Sequence, residues 1–133
     1  MVYSAKNDPQ MKELIAHQII RDELVSDIVA NIKALREIEP DLAKAQDNRL
    51  FKLIVISLKA FLYHSLAIKD PAVQKTVTES ALNNQAAIMA SFLLKNYNGK
   101  PYDTMLNLMD ETNKFYISIS RPNGQQQQAQ STK

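Results

Sequence analysis

The most apolar window of the chain runs from Leu50 to Ile68. Its apolar side chains cover most of a helical wheel, which is typical of a helix that is surrounded by protein. The window is long enough to cross a membrane, but Lys52, Lys59 and His64 lie inside it. A charge at the middle of a bilayer costs about 2.5–3.5 kcal/mol. We therefore interpret the window as the central helix of a folded domain and expect no membrane span.

A strand over residues 53–56 is the alternative, because the run Leu-Ile-Val-Ile is β-prone. The chain contains no second strand-like run that could pair with it. An unpaired strand leaves its backbone groups without hydrogen bonds, so the pattern favours a helix.

Prolines that follow polar residues divide the rest of the chain. Asp8-Pro9 and Asp70-Pro71 are typical helix starts, because the carboxylate accepts a hydrogen bond from a free backbone N–H and proline lacks an N–H that would have no partner. Pro40 and Pro101 can begin helices in the same way, and Gly99 can provide the left-handed residue that ends one. The pattern predicts four helices, at about residues 9–38, 41–69, 71–96 and 101–120.

Two details of these helices depend on weaker patterns. Residues 41–49 are polar, so they form either the solvated first turns of the second helix or a short separate helix, with Asp47 capping the main one. The third helix is predicted to be continuous. One apolar stripe of it is expected to face the core: Val73, Val77, Ala81, Ile88, Met89 and Phe92.

Connections as short as these favour antiparallel neighbours. We therefore expect an all-α protein, an antiparallel four-helix bundle. A single domain over residues 1–121 follows from the length of 133 residues. Residues 122–133 are rich in glutamine and too poor in apolar side chains to offset the entropy of ordering, so they are predicted to form a flexible tail.

Composition excludes several classes of chemistry. The chain has no cysteine, which rules out disulfides, thiolate metal sites and thiol catalysis. The net charge of +2 is low for a nucleic-acid-binding domain. The first residues lack the apolar segment of a secretory signal, and we expect a cytoplasmic protein.

Known catalytic motifs are missing from the sequence. It contains no Gly-rich phosphate loop, no Gly-x-Ser-x-Gly and no Glu-x-x-His of the di-iron bundles. A helical enzyme or metal site that uses His17 and His64 is the remaining alternative, although each is more simply interpreted as a partly buried, hydrogen-bonded histidine. We therefore expect no enzymatic activity, no catalytic residues, no cofactor and no metal.

Excess apolar surface is the positive indication of function. The first helix has an apolar stripe wider than one neighbouring helix covers, and the second is apolar nearly all round. We predict a partner-binding face across these two helices, formed by Ile15, Ile19, Leu24, Ile56, Tyr63 and Leu66. The predicted function is a non-enzymatic protein–protein interaction module that self-associates or holds a partner helix. An adaptor, a secretion-chaperone-like protein and a subunit of a larger assembly all fit this description.

A small nucleic-acid-binding regulator is the alternative function. Its candidate residues are the basic cluster of the second helix: Lys44, Arg49, Lys52 and Lys59. Phosphate binding needs several cations on one surface, and Asp41 and Asp47 dilute this cluster. Nucleic acid is therefore the second interpretation and not the first.

Overall fold

A computed structural model describes residues 8–120, of which 88% are helical and none lies in a strand. The all-α class predicted from the sequence is confirmed, and the contacts between helices are consistent with a bundle. The predicted tail at 122–133 lies outside the described residues. The helices are α1 (Pro9–Ile38), α2 (Leu42–Ala45), α3 (Arg49–Lys69), α4 (Pro71–Thr76), α5 (Glu79–Asn96) and α6 (Pro101–Ser120).

The Asp-Pro pairs begin helices as expected. The Asp8 carboxylate accepts a hydrogen bond from the backbone N–H of Gln10, at 2.9 Å. The Asp70 carboxylate accepts one from the N–H of Val73, at 3.3 Å. At the end of α5 the chain turns through Gly99, whose φ of +82° is the left-handed value predicted for it.

The segment before the central helix is a separate short helix. Helix α2 ends at Ala45, and α3 begins at Arg49, directly after a turn over residues 46–48. The capping residue is Asn48 and not Asp47, because the backbone N–H of Asp47 bonds to Lys44 within the turn. The side chain of Asn48 accepts from the N–H of Leu50 at 2.8 Å.

The third predicted helix is not continuous. Helix α4 ends at Thr76, Val77 is extended with a ψ of 137°, and the Thr78 hydroxyl caps α5 by accepting from the N–H of Ala81 at 3.0 Å. The prediction of one helix over 71–96 was therefore wrong, because a threonine cap without glycine or proline interrupts it.

This interruption changes which side of the helix faces the core. Ile88 and Phe92, predicted to lie inside, are 52% and 36% exposed. The buried residues of α5 are instead Leu82, Ala86, Met89, Ala90, Leu93 and Leu94. Because the chain leaves the helix at Val77 and begins α5 at Glu79, α5 is rotated about its axis relative to α4. The apolar stripe that includes Val73 therefore does not continue along the same side of α5.

Helix α3 is the centre of the fold. It packs most extensively against α1, then against α5 and α4, and Ile54, Leu58, Phe61 and Leu62 are fully or almost fully buried. Of the helices within residues 8–120, α3 is the one whose length and mean hydropathy, 1.6, would allow it to cross a membrane, and 39% of that window is buried. A core helix of a soluble protein meets the same criterion.

Replacing Phe61 with alanine tests the central role of α3. The side chain is 2% exposed, so Phe61→Ala should lower the free energy of unfolding by about 3–5 kcal/mol. Ile56→Ala, on the exposed side of the same helix, is the matched control and should change it by less than about 0.5 kcal/mol. Urea titration followed by circular dichroism measures both. A loss below about 1 kcal/mol for Phe61→Ala would contradict this packing.

Candidate interaction face, histidine pair and polar cavity

Most of the predicted partner-binding residues are exposed, but two are not. Ile15, Ile19, Ile56 and Tyr63 are between 41% and 62% exposed. Leu66 is fully buried, because it lies one turn beyond the buried Leu62 on the core side of α3. Leu24 is half-buried and packs against the core. Neither leucine can therefore belong to an exposed face.

The exposed isoleucines of α1 point away from α3. His17 marks the side of α1 that contacts α3, since its ring meets that of His64. Ile15 and Ile19 each lie two residues from His17, about 160° around the helix. Ile56 and Tyr63 lie on α3 itself. The predicted surface is therefore not continuous, because its α1 residues lie on the side of α1 away from α3.

Ile15 and Ile19 lie on the outer side of α1. Arg21 marks the side of α1 that turns towards α6, because it lines a cavity with Thr112 and Asn113 of that helix. Ile15 lies six residues from Arg21 and Ile19 lies two, which places them about 120° and 160° around the helix. The two isoleucines therefore point away from both α3 and α6.

Helix α6 carries an exposed apolar stripe that the sequence analysis missed. Its members are Tyr102, Leu106, Met109 and Ile117, which are 71%, 46%, 54% and 38% exposed. Spacings of four, three and eight residues place them along one side of the helix. The buried residues Leu108, Thr112 and Phe115 lie on another side. We refer to these four residues of α6 as the α1/α6 face, because α1 is one neighbour of this helix.

A cavity lies between α1, α3 and α6, beside this face. It has a volume of about 250 Å³ and is lined by Arg21, Phe61, Ser65, Ile68, Lys69, Met109, Thr112 and Asn113. Lys69 stacks over the ring of Tyr116, with its Nζ 5.3 Å from the ring centroid. The Tyr116 hydroxyl donates to the Asp70 carboxylate at 3.0 Å. This hydrogen bond, followed by burial, raises the pKa of Tyr116.

The two histidines form a pair that the sequence did not reveal. The Nδ1 atoms of His17 and His64 are 2.6 Å apart, so one ring donates a hydrogen and the other accepts it. Two protonated rings would bring two donors and two positive charges together. Burial, and next the charge of His17, lower the pKa of His64. The arrangement therefore favours a pair in which His64 is neutral.

The histidine pair does not form a metal centre with other ligands. No group of three or more His, Cys, Asp or Glu side chains suited to a metal exists within residues 8–120. Glu13 and Lys75 line a cavity of about 200 Å³ that His17 shares. The pair joins α1 to α3, and His17 has one acidic and one basic neighbour at this cavity.

The basic residues proposed for nucleic acid do not share one continuous helix. Lys44 lies on α2, whereas Arg49, Lys52 and Lys59 lie on α3, across the turn. The ammonium of Lys59 pairs with the Glu79 carboxylate. The charge of Lys59 is thus already partly neutralised within the protein. The positions of these four residues give no further support to nucleic-acid binding.

Comparisons with protein-family models, with curated proteins and with solved structures give no match to this chain.

The histidine pair predicts a dependence of stability on pH. An unfolded histidine titrates near 6.5, and the pKa of His64 is lower in the folded chain. The unfolded state therefore binds more protons below pH 6.5, and the free energy of unfolding should fall as the pH drops from about 6.5. Urea titrations between about pH 8 and pH 5 measure this slope.

The variant His64→Gln should flatten the slope over that range, because it removes the group whose pKa is lowered. Carboxylates of model peptides titrate below this range, at about 3.9 for Asp and about 4.3 for Glu. An equal slope in the variant and the parent chain would show that His64 does not cause it.

Proposed function

We propose that this chain is a non-enzymatic helical interaction protein that self-associates through its α1/α6 face. The observation that carries the proposal is the exposed stripe of α6, formed by Tyr102, Leu106, Met109 and Ile117. Apolar residues at helical spacing on an exposed helix face are the usual anchors of helix–helix recognition. The proposal keeps the function predicted from the sequence and moves its site from the α1–α3 surface to α6.

Charge favours a second copy of the chain as the occupant, in antiparallel orientation. Asp103, Asn107, Asp110 and Lys114 lie along one edge of the stripe, where Lys114 also pairs with Asp110 of its own helix at 3.2 Å. Two antiparallel α6 helices centred between Leu108 and Met109 bring Lys114 of each copy opposite Asp103 of the other. A parallel, in-register pair would leave Asp103 of one copy and Lys114 of the other about 16 Å apart along the helix axis, so it would not form these ion pairs. A two-fold axis also satisfies the closed symmetry of most dimers.

We also infer an up-down-up-down order for α1, α3, α5 and α6. His17, near the start of α1, meets His64, near the end of α3. Tyr116, near the end of α6, bonds to Asp70, just after α3. These contacts support antiparallel packing of α1 against α3, with α6 parallel to α3. In this order, α1 and α6 are neighbours.

A cytoplasmic role as an adaptor or assembly subunit, without cofactor or metal, completes the proposal. The absence of cysteine in the sequence fits a reducing compartment. A partner helix from another protein would use the same anchors on α6. If the chain does not self-associate, these residues of α6 would instead bind a helix of another protein.

Light scattering coupled to size-exclusion chromatography, over a range of protein concentrations, tests the self-association. The parent chain should give a dimer that dissociates on dilution. Leu106→Asp places a charge within the stripe and should raise the dissociation constant at least about tenfold. Ile56→Asp is the matched control, because Ile56 is 62% exposed but lies off the α1/α6 face, and it should remain dimeric.

A charge-swap experiment tests the orientation of the two copies. Lys114→Asp should weaken the dimer, because it faces Asp103 of the partner copy, and adding Asp103→Lys should restore it. Thermal unfolding of each variant separates this effect from a loss of folding. A parent chain that is monomeric at every concentration would overturn self-association, and failure of the double variant to restore the dimer would overturn the antiparallel arrangement.

A further inference from the structure

The N-terminal half of α1, residues 9–23, is attached to the bundle less firmly than the rest of that helix. Every side chain from 9 to 23 is exposed or half-buried. The buried residues of α1 all lie further along the helix: Val25, Ile28, Ile32 and Leu35. Apolar burial is the main favourable term in helix packing, so it fixes the C-terminal half of α1 and contributes little to residues 9–23.

The histidine pair is a direct polar contact between this half of α1 and α3. The hydrogen bond between His17 and His64 exists only while one of the two facing nitrogens carries no proton. These two are the only histidines of the sequence, which also lacks cysteine. Histidine is the side chain whose ordinary pKa lies between about pH 5 and pH 8. A fall in pH through this range therefore acts first on the contact between residues 9–23 and α3.

The charged neighbours of the pair do not compensate for a proton on both rings. On α1, Glu13 and Arg21 lie one turn before and one turn after the histidine of that helix. Lys75 of α4 lines the cavity that this histidine shares with Glu13. On α3, Tyr63 contacts the other ring edge-on, with centroids 5.5 Å apart. Positions 60, 61, 67 and 68, one turn from that ring, carry no charge. The described lining of the cavity includes no residue of α5 or α6. One carboxylate thus stands against two cations.

We propose that the His17–His64 pair is a pH-sensitive switch: protonation of both rings releases residues 9–23 from α3 while the rest of the bundle stays folded. Two protonated rings place two donors and no acceptor between the helices, so the hydrogen bond is lost and the positive charges repel. Burial, and next the charge of His17, lower the pKa of His64. The released state, in which this ring is solvated, therefore binds the proton more readily.

Release also uncovers the junction of α3 and α4. Ala67 and Gln74 are 3% and 7% exposed, and they line the same cavity as Leu14 and His17. An isolated helix shorter than about 15 residues is marginal in water, so the released half also loses helical structure. The exposed stripe of α6 takes no part in this change, and the switch does not depend on the proposed self-association.

Amide hydrogen exchange of the full chain, followed by NMR at about pH 7.5 and about pH 5.5, tests the release. Protection factors are compared, because the intrinsic exchange rate of an amide itself depends on pH. The amides of residues 14–23 should lose about fivefold or more of their protection at the lower pH, since each proton taken up shifts an equilibrium at most about tenfold per pH unit.

The same measurement in low concentrations of urea separates local release from unfolding of the whole domain. Exchange through a local opening exposes little surface and depends little on urea, whereas exchange through global unfolding depends on it strongly. Residues 14–23 should show the weak dependence. Leu58 and Met89, which are fully buried, should show the strong one and stay the more protected set at both pH values.

A double variant assigns the effect to the histidines. His17→Gln combined with His64→Gln removes both titratable rings and keeps side chains that can hydrogen-bond, so the protection of residues 14–23 should no longer depend on pH in this range. Glu13→Gln is the matched control, because it removes a charge at the same cavity and keeps both rings. Its pH dependence should remain.

Three results would overturn the proposal. Equal protection of residues 14–23 at both pH values in the parent chain would show that protonation releases nothing, and this result needs no variant to fold. A urea dependence equal to that of Leu58 and Met89 would show that the domain opens as a whole. Loss of protection with falling pH in the double variant would assign the effect to other groups.

Discussion

The burial of α3 is the constraint on which the rest of this structure depends. An apolar helix of 21 residues must be covered by other helices, and α1, α4 and α5 provide most of that cover. Helix α6 contributes much less contact to α3 than α1 or α5 does. Of the three long helices that contact α3, α6 therefore contributes least to the core. It also retains an apolar side that is exposed to solvent.

Starts of helices were predictable from the sequence because each has a local chemical cause. Asp8 and Asp70 cap α1 and α4 with the carboxylates identified from the Asp-Pro pairs. The break at Val77 and Thr78 was not predictable in the same way. Threonine is compatible with a helix interior as well as with a cap, and only the packing of α4 and α5 onto α3 decides between them. A helical wheel drawn for one continuous helix therefore could not predict the rotation of α5 or the exposure of Ile88.

The candidate face was only partly predictable for a related reason. Hydrophobicity correctly indicated more apolar surface than one bundle covers, and Ile15 and Ile19 are indeed exposed. Hydrophobicity did not show which sides of α1 and α3 meet. The hydrogen bond between His17 and His64 shows which side of α1 faces α3. The stripe of α6 had a sequence signal, since Tyr102, Leu106 and Ile117 recur at helical spacing. Met109 directly follows Leu108, which is buried, so the wheel alone does not show on which side of α6 Met109 lies.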